Sequence, residues 1–244
     1  MAGSPKNRIS LPGAVLLIPA FNEAEVIADV LAEIFHNSDL AVIVIDDAST
    51  DNTAALARSA GATVIPLPVQ LGAWGAVQTG MRYALRHNYH TVISMDADGQ
   101  HEAVSLEDLI HPVAKGAADV SIGACTRRGS ISRHIAWKIM KRTSGLSLED
   151  ITSGFRVYNL DAIKILADWR ATLLDYQDIG VLLLLQSNGL KIVDVEVDMR
   201  PRSNGASKIF YSWLIVAYYM CSTLLLGLTK RKLAGRDRDV HALR

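Results

Sequence analysis

From residue 14 to about residue 123, short apolar runs bounded by turn residues alternate with stretches whose apolar positions recur at helical spacing. Ala14–Pro19, Leu40–Ile45, Ala62–Leu67, Thr91–Met95 and Asp119–Gly123 read as strands, and 23–36, 51–59, 74–87 and 105–115 as helices. Short buried strands alternating with helices imply βαβ units, hence an α/β protein with a mostly parallel central sheet flanked by helices. Asn22 with Glu25 three residues on has the form of a capping box for the first helix. Asp51 or Thr50 is placed to cap the second.

Beyond this region the chain turns basic and less regular over 127–150, and Ile151–Tyr158 and Lys191–Met199 read as further strands. In the second, Ile192, Val193, Val195, Val197 and Met199 are set against Asp194, Glu196 and Asp198, as expected of an edge or half-exposed strand. With 244 residues, half of them apolar and a fifth charged, the chain can bury one substantial core. There is no internal repeat and no low-complexity linker. Cys125 and Cys221 suggest no disulfide framework, so a reducing compartment is expected. The run Ala14–Pro19 is too brief for a signal-peptide core, which adds to a cytosolic reading.

Formal neutrality conceals an asymmetry. Residues 200–244 carry nine Lys and Arg against two Asp, a balance of +7, and residues 1–199 carry −7. A basic tail on an acidic body fits an anionic surface, or else a solubilising terminus. No nucleic-acid partner is expected. Within this tail Ile209–Thr229 holds no formal charge over 21 positions, long enough to span a bilayer. It also carries Tyr211, Trp213, Tyr218 and Tyr219, and basic residues flank both ends, with Arg200, Arg202 and Lys208 before it and Lys230, Arg231 and Lys232 after. A spanning helix shows one-sided bias. Two-sided basic flanks with interleaved aromatics fit helices lying among lipid headgroups. A span and a helix packed in a homo-oligomer stay open as alternatives. The division expected is a catalytic domain over 1–208 and a membrane-associating segment over 209–244, at the cytoplasmic face of a membrane through 209–232.

Ligands of open parallel sheets bind beyond the carboxyl ends of the strands. Acidic residues gather there: Glu23 after the first strand, Asp46 and Asp47 after the second, Asp96 and Asp98 after the fourth. Two carboxylates one residue apart repel, and a cation between them removes that cost. With Gln100 they make a hard oxygen set suited to Mg²⁺ or Mn²⁺, a shell usually completed by substrate phosphates.

Pro19-Ala-Phe-Asn-Glu23, Asp46-Asp-Ala-Ser-Thr-Asp51, Gly72 with its helix to Gly80, and Asp96-Ala-Asp-Gly-Gln-His101 resemble, in order and spacing, family 2 glycosyltransferases of the GT-A fold. Asp150-Ile-Thr-Ser-Gly-Phe-Arg156 and Arg200-Pro-Arg-Ser-Asn-Gly-Ala-Ser-Lys208 are similar to the polyprenol- and dolichol-phosphate mannose synthase-like branch. The resemblance covers residues 14 to about 210. It implies inverting transfer of a sugar from a nucleotide-diphosphate donor, of GDP-mannose or UDP-hexose type, to a polyprenyl phosphate. By position, Pro19, Phe21, Glu23 and Asp47 would hold base and ribose, with Asp46 and Gly72 in the same donor-binding group. Asp96 and Asp98 would meet nucleotide and metal, with Gln100 a further ligand, and Asp98 would act in catalysis. Arg127 and Arg133 would contact the acceptor phosphate, and Arg156 and Lys208 would neutralise diphosphate or acceptor charge. Asp178 matches an acid that serves as base where relatives use hydroxyl acceptors. Where many relatives carry Lys after the loop glycine, this chain has Ala73-Trp74.

Duller roles exist for several of these residues. Glu23 and Asp46 could be first-turn helix acids, Arg156 a structural partner of Asp150, His101 a loop residue behind the metal ligands, and Trp74 and Trp137 packing residues. A phosphatase using Asp-x-Asp wants Thr or Val where Gln100 stands. A dinucleotide-binding dehydrogenase would need Gly-x-Gly-x-x-Gly after the first strand. A non-catalytic sugar-nucleotide-binding protein would not need the intact Asp96, Asp98 and Gln100 set. Within the transferase reading, the alternative acceptor is a hydroxyl of a lipid-linked or polysaccharide glycan.

Overall fold

A computed structural model describes residues 8–125, 148, 153–174 and 179–200. The strands are β1 (Ala14–Ala20), β2 (Ala41–Asp46), β3 (Thr63–Pro66), β4 (Thr91–Ser94), β5 (Val120–Ala124), β6 (Arg156–Tyr158) and β7 (Ile192–Glu196). The helices are α1 (Ile27–Asn37), α2 (Thr53–Ser59), α3 (Gly72–Arg86), α4 (Leu106–Ala114), α5 (Leu160–Ala167) and α6 (Ile179–Ser187). Single 3₁₀ turns cover Ala103–Ser105 and Trp169–Leu173.

The sheet order is β3-β2-β1-β4-β6-β5-β7 among the described residues. All neighbours pair in parallel except β6, which runs opposite to both β4 and β5. That reversal matters for the site. The first residue of β6, Arg156, pairs with Ser94 on one side and Ile122 on the other, so the entry to β6 meets the carboxyl ends of β4 and β5.

Alternate residues of the strands supply two cores. Val15, Leu17, Ile43, Val92, Ile122 and Tyr158 pack with α3, α5 and α6. Leu16, Ile18, Val44, Ile93, Phe155 and Val157 pack with α1, α2 and α4. Strands buried on both faces read as continuous apolar runs, which is why β1, β2 and β4 stand out in the sequence. The close seat of α3 depends on Gly80: a Cβ there would lie 2.7 Å from Leu17 Cδ1 and 3.0 Å from Ile45 Cδ1.

Two expectations need correction, and one helix lies where none was expected. The capping box is absent, because α1 starts at Ile27 after a turn in which Val26 and Ile27 donate to the Glu23 carbonyl. Asn22 has φ 53 and its side chain accepts the Thr50 N–H instead. The strand expected from residue 151 begins only at Arg156, Ser153–Phe155 forming the loop that enters it. Helix α5 was not anticipated; Asn159 caps it, accepting the Ala162 N–H at 2.9 Å. β7 is an edge strand, as its alternation implied.

Candidate active site

Two loops leave the carboxyl ends of β1 and β2 side by side, and short polar side chains lace them together. Asn22 Oδ1 accepts the Thr50 N–H at 2.8 Å, and the Asn22 N–H donates to Ser49 Oγ at 3.0 Å. The Glu23 N–H donates to Thr53 Oγ1 at 2.8 Å, and the Ala24 N–H to Asp51 Oδ2 at 3.1 Å. Burial alone would raise the Asp51 carboxyl. Hydrogen bonds from the Thr53 hydroxyl and N–H and from the Ala24 N–H outweigh it and hold the group below its usual range. Asp51 also accepts the N–H of Thr53, the first residue of α2, but the N-cap position falls on Asn52, whose side chain makes no capping bond, so neither Asp51 nor Thr50 is the cap.

Asp46 accepts the Ser49 N–H and closes the turn around Ala48, which has φ 61. Asp47 is only 3% exposed, and its oxygens accept the Leu71 N–H at 2.6 Å and the Gly72 N–H at 2.9 Å. In this structure Asp47 therefore ties the end of β2 to the start of α3, at the place the sequence reading gave to base and ribose. Pro19, Phe21 and Glu23, half-buried, and Gly72, exposed, sit at this rim.

The loop after β4 is built differently. Asp98 Oδ1 accepts the Gln100 N–H at 3.1 Å, folding Asp98–Gln100 into a tight turn at Gly99. Gln100 is buried. The Asp96 side chain remains 44% exposed, with Oδ2 3.3 Å from Nε2 of buried His101. His101 in turn packs on Phe155, ring centroids 4.8 Å apart. On the β6 side, Ser94 Oγ donates to the Gly154 carbonyl at 2.6 Å. A Cβ on Gly154 would fall 2.4 Å from Asp96 Oδ1, so only glycine leaves the carboxylate its place.

Among the described residues, no three His, Cys, Asp or Glu side chains converge closely enough to hold a metal by themselves. The donors present are two partly exposed carboxylates, one of them seated against Gly154, and the neighbouring Gln100, a set of hard oxygens. That set fits Mg²⁺ or Mn²⁺ bound jointly with the oxygens of another molecule.

Arg156 is completely buried, and its Nε donates to the Ser153 carbonyl at 2.7 Å. It braces the loop that carries Gly154. Trp74 is a packing residue, as expected: it is buried and its Nε1 donates to the Ala171 carbonyl at 2.9 Å. Gln78 and Arg82, one and two helical turns further along α3, bind carbonyls of Leu166, Ala167 and Asp168. Arg127, Arg133, Asp150, Asp178, Lys208 and Ile209–Thr229 lie outside the described residues. The sequence reading missed Ser49, Ser94, Gly154 and the Glu33–Arg200 pair described below. Ser49 and Gly154 sit inside motifs already singled out, but nothing local links Glu33 to Arg200.

The family profile described as "Glycosyl transferase family 2" matches residues 15–167, a span that runs from β1 to the end of α5. The chain belongs to glycosyl transferase family 2. It is 27% identical over 213 residues to the polyprenol monophosphomannose synthase of Mycolicibacterium smegmatis, covering 80% of each chain. It is 28% identical over 214 residues to the undecaprenyl-phosphate mannosyltransferase of Micrococcus luteus, covering 79% of this chain and 86% of that one. Its fold resembles glucosyl-3-phosphoglycerate synthase from Mycobacterium tuberculosis, solved with Mn²⁺, uridine diphosphate and phosphoglyceric acid. There the TM-score is 0.68 at 20% identity, covering 89% of this chain and 78% of that chain. The GT-A fold of the family is thus the fold of this chain, and the chain is a glycosyltransferase.

Proposed function

We propose that this glycosyltransferase moves a sugar from a nucleotide-diphosphate donor to a polyprenyl phosphate, inverting the anomeric carbon, with Mn²⁺ or Mg²⁺ required. The observation that carries the metal part is the contrast at the sheet edge: Asp96 stays 44% exposed beside a glycine that makes room for it, while Asp47 is spent on the backbone. A divalent ion there would offset the charge that develops on the departing diphosphate. Asp96 and Asp98 would hold it, with Gln100 beside them. Pro19, Phe21 and Glu23 would flank base and ribose at the rim of β1, while Asp46 and Asp47 keep that rim in shape.

The acceptor part rests on the relatives acting on polyprenol and undecaprenyl phosphate. A lipid phosphate is ionised near neutral pH, so its oxygen can attack without a protein base; alignment of the partners is the protein's task. Arg127 and Arg133 are proposed to hold that phosphate, with Lys208 opposing the donor's charge. Residues 1–208 would be the catalytic domain, and 209–244 would hold the protein at an anionic membrane surface. Among the described residues no helix is long and apolar enough to cross a membrane.

The test offers purified full-length protein GDP-mannose or a UDP-hexose with undecaprenyl phosphate, undecaprenol or 3-phosphoglycerate, in Mn²⁺ or in chelator. Transfer to undecaprenyl phosphate alone, abolished by chelator, is the expected result. Transfer to a hydroxyl acceptor that depends on Asp178 would replace this reading with the alternative. Preference for 3-phosphoglycerate would move the substrate from lipid to soluble phosphate.

A further inference from the structure

Three distant segments meet behind the Asp96–Asp98 loop. Glu33 on α1 and Arg200 after β7 are 167 positions apart in the chain, yet Arg200 Nη1 lies 2.6 Å from Glu33 Oε2 and Nη2 3.0 Å from Oε1. This is a two-pronged guanidinium–carboxylate pair, the geometry in which Arg cannot be replaced by Lys without loss. Arg200 Nε also stands 3.3 Å from Glu102 Oε1, and Glu33 Oε1 accepts the Ala103 N–H at 3.2 Å. The backbones are joined as well: the Arg200 N–H donates to the Gln100 carbonyl at 2.8 Å, and Met199 and His101 form an antiparallel bridge.

This arrangement does more than a surface ion pair needs to. Isolated exposed pairs contribute little to stability. Here the guanidinium stands between two carboxylates that would otherwise face each other, and every connection it makes bears on Gln100–Ala103. Those residues follow directly on Asp98. The far end, Asp96, is held through His101, whose other neighbour in the bridge is Met199.

We propose that Arg200 is a positioning residue for the metal-facing loop: by forking Glu33 and drawing in Glu102 it fixes Gln100–Ala103, and through them the setting of Asp96 and Asp98. The inference rests on the reading of Asp96 and Asp98 as binders of a divalent cation with a nucleoside diphosphate. Arg200 touches neither ligand in this account. Its effect is on how well the two carboxylates are arranged for a shared cation.

The experiment titrates Mn²⁺ into full-length protein with saturating GDP, and separately UDP, following free Mn²⁺ by electron paramagnetic resonance. Metal-free nucleotide binding and thermal unfolding are measured alongside. Arg200→Ala and Glu33→Gln are expected to weaken Mn²⁺ binding by about 10- to 100-fold, as lost support of metal ligands does, with metal-free nucleotide binding unchanged. Arg200→Lys should recover only part of the loss. The double variant Glu33→Gln with Arg200→Ala should lose little more than either single variant, giving a strong coupling in the double-mutant cycle. Mn²⁺ affinity within twofold of wild type in both single variants would overturn the proposal. So would a loss in Arg200→Ala while Glu33→Gln binds normally, since Arg200 would then act on ligand directly. Wild-type protein that fails to bind Mn²⁺ both with GDP and with UDP would instead overturn the cation reading, and the role of the clamp with it.

Discussion

Two pairs of aspartates stand at the same edge of the same sheet and differ in how deeply they are drawn into it. Asp46 and Asp47, at the end of β2, are buried and accept backbone N–H groups of Ser49, Leu71 and Gly72. Asp96 and Asp98, after β4, are only partly buried: Asp96 is seated against Gly154 and within reach of His101, and Asp98 accepts the Gln100 N–H. An inward carboxylate that satisfies orphan donors builds a loop. The difference comes from the neighbours: β2 borders β1 and β3 and is tied to α3 through Asp47, whereas β4 borders the reversed strand β6, whose entering loop brings Gly154 against Asp96.

The sharpest way to break this contrast is Asp98→Asn. It should leave unfolding unchanged and cut transfer by about 10³-fold, since several kcal/mol of charge stabilisation disappears at the departing diphosphate. Steady-state rates at saturating Mn²⁺ with a thermal melt check both halves. Equal rates would make Asp98 another loop builder. Asp47→Ala should show the mirror image, with about 2 kcal/mol lost in denaturant unfolding because two charge-assisted hydrogen bonds go. Any fall in rate should follow the loosened start of α3. If stability holds and only donor affinity falls, Asp47 belongs with the ligand-binding residues.

Gly154→Ala sharpens the comparison from the other side. Its Cβ would press on the end of a rotatable side chain, so the melting temperature should move little while Mn²⁺ affinity in the presence of nucleotide falls by about tenfold. The smallest effect belongs to Asp51, another loop-building acid. Its folded carboxyl is held below the unfolded value of 3.8, so its contribution to stability is present above that pH and fades as pH falls through the lower folded value. The stability gap between wild type and Asp51→Asn should therefore narrow in acid urea titrations below about pH 4. A gap that widens there would reverse the assignment.

Much of the fold could be read from the chain because its strands are buried on both faces. Ala14–Pro19, Leu40–Ile45 and Thr91–Met95 needed no partner to be recognised, only their apolar runs and the turns that bound them. The acidic clusters followed, since a strand's end in a parallel sheet is also a place in space. What each acid does there was not legible. Asn22 and Glu25 have the spacing of a capping box, yet Asn22 is drawn to Thr50 across the β1–β2 edge, a tertiary bond that outcompetes the local one. The direction of β6 was equally hidden, because a strand of three residues carries no mark of parallel or antiparallel pairing.

By itself, then, the sequence determined the alternation of strands and helices, the edge at which ligands would sit and the residues whose chemistry suits a cation and a diphosphate. These follow from periodicity and functional groups, properties that each short segment carries with it. Only the tertiary structure decided which acids face inward, that a glycine beside Asp96 guards its space, and that Arg200 closes on Glu33 from the far end of the domain. Those are facts of distance between segments remote in the chain, and a carboxylate's role depends on whether donors or open space lie within about 3 Å of it.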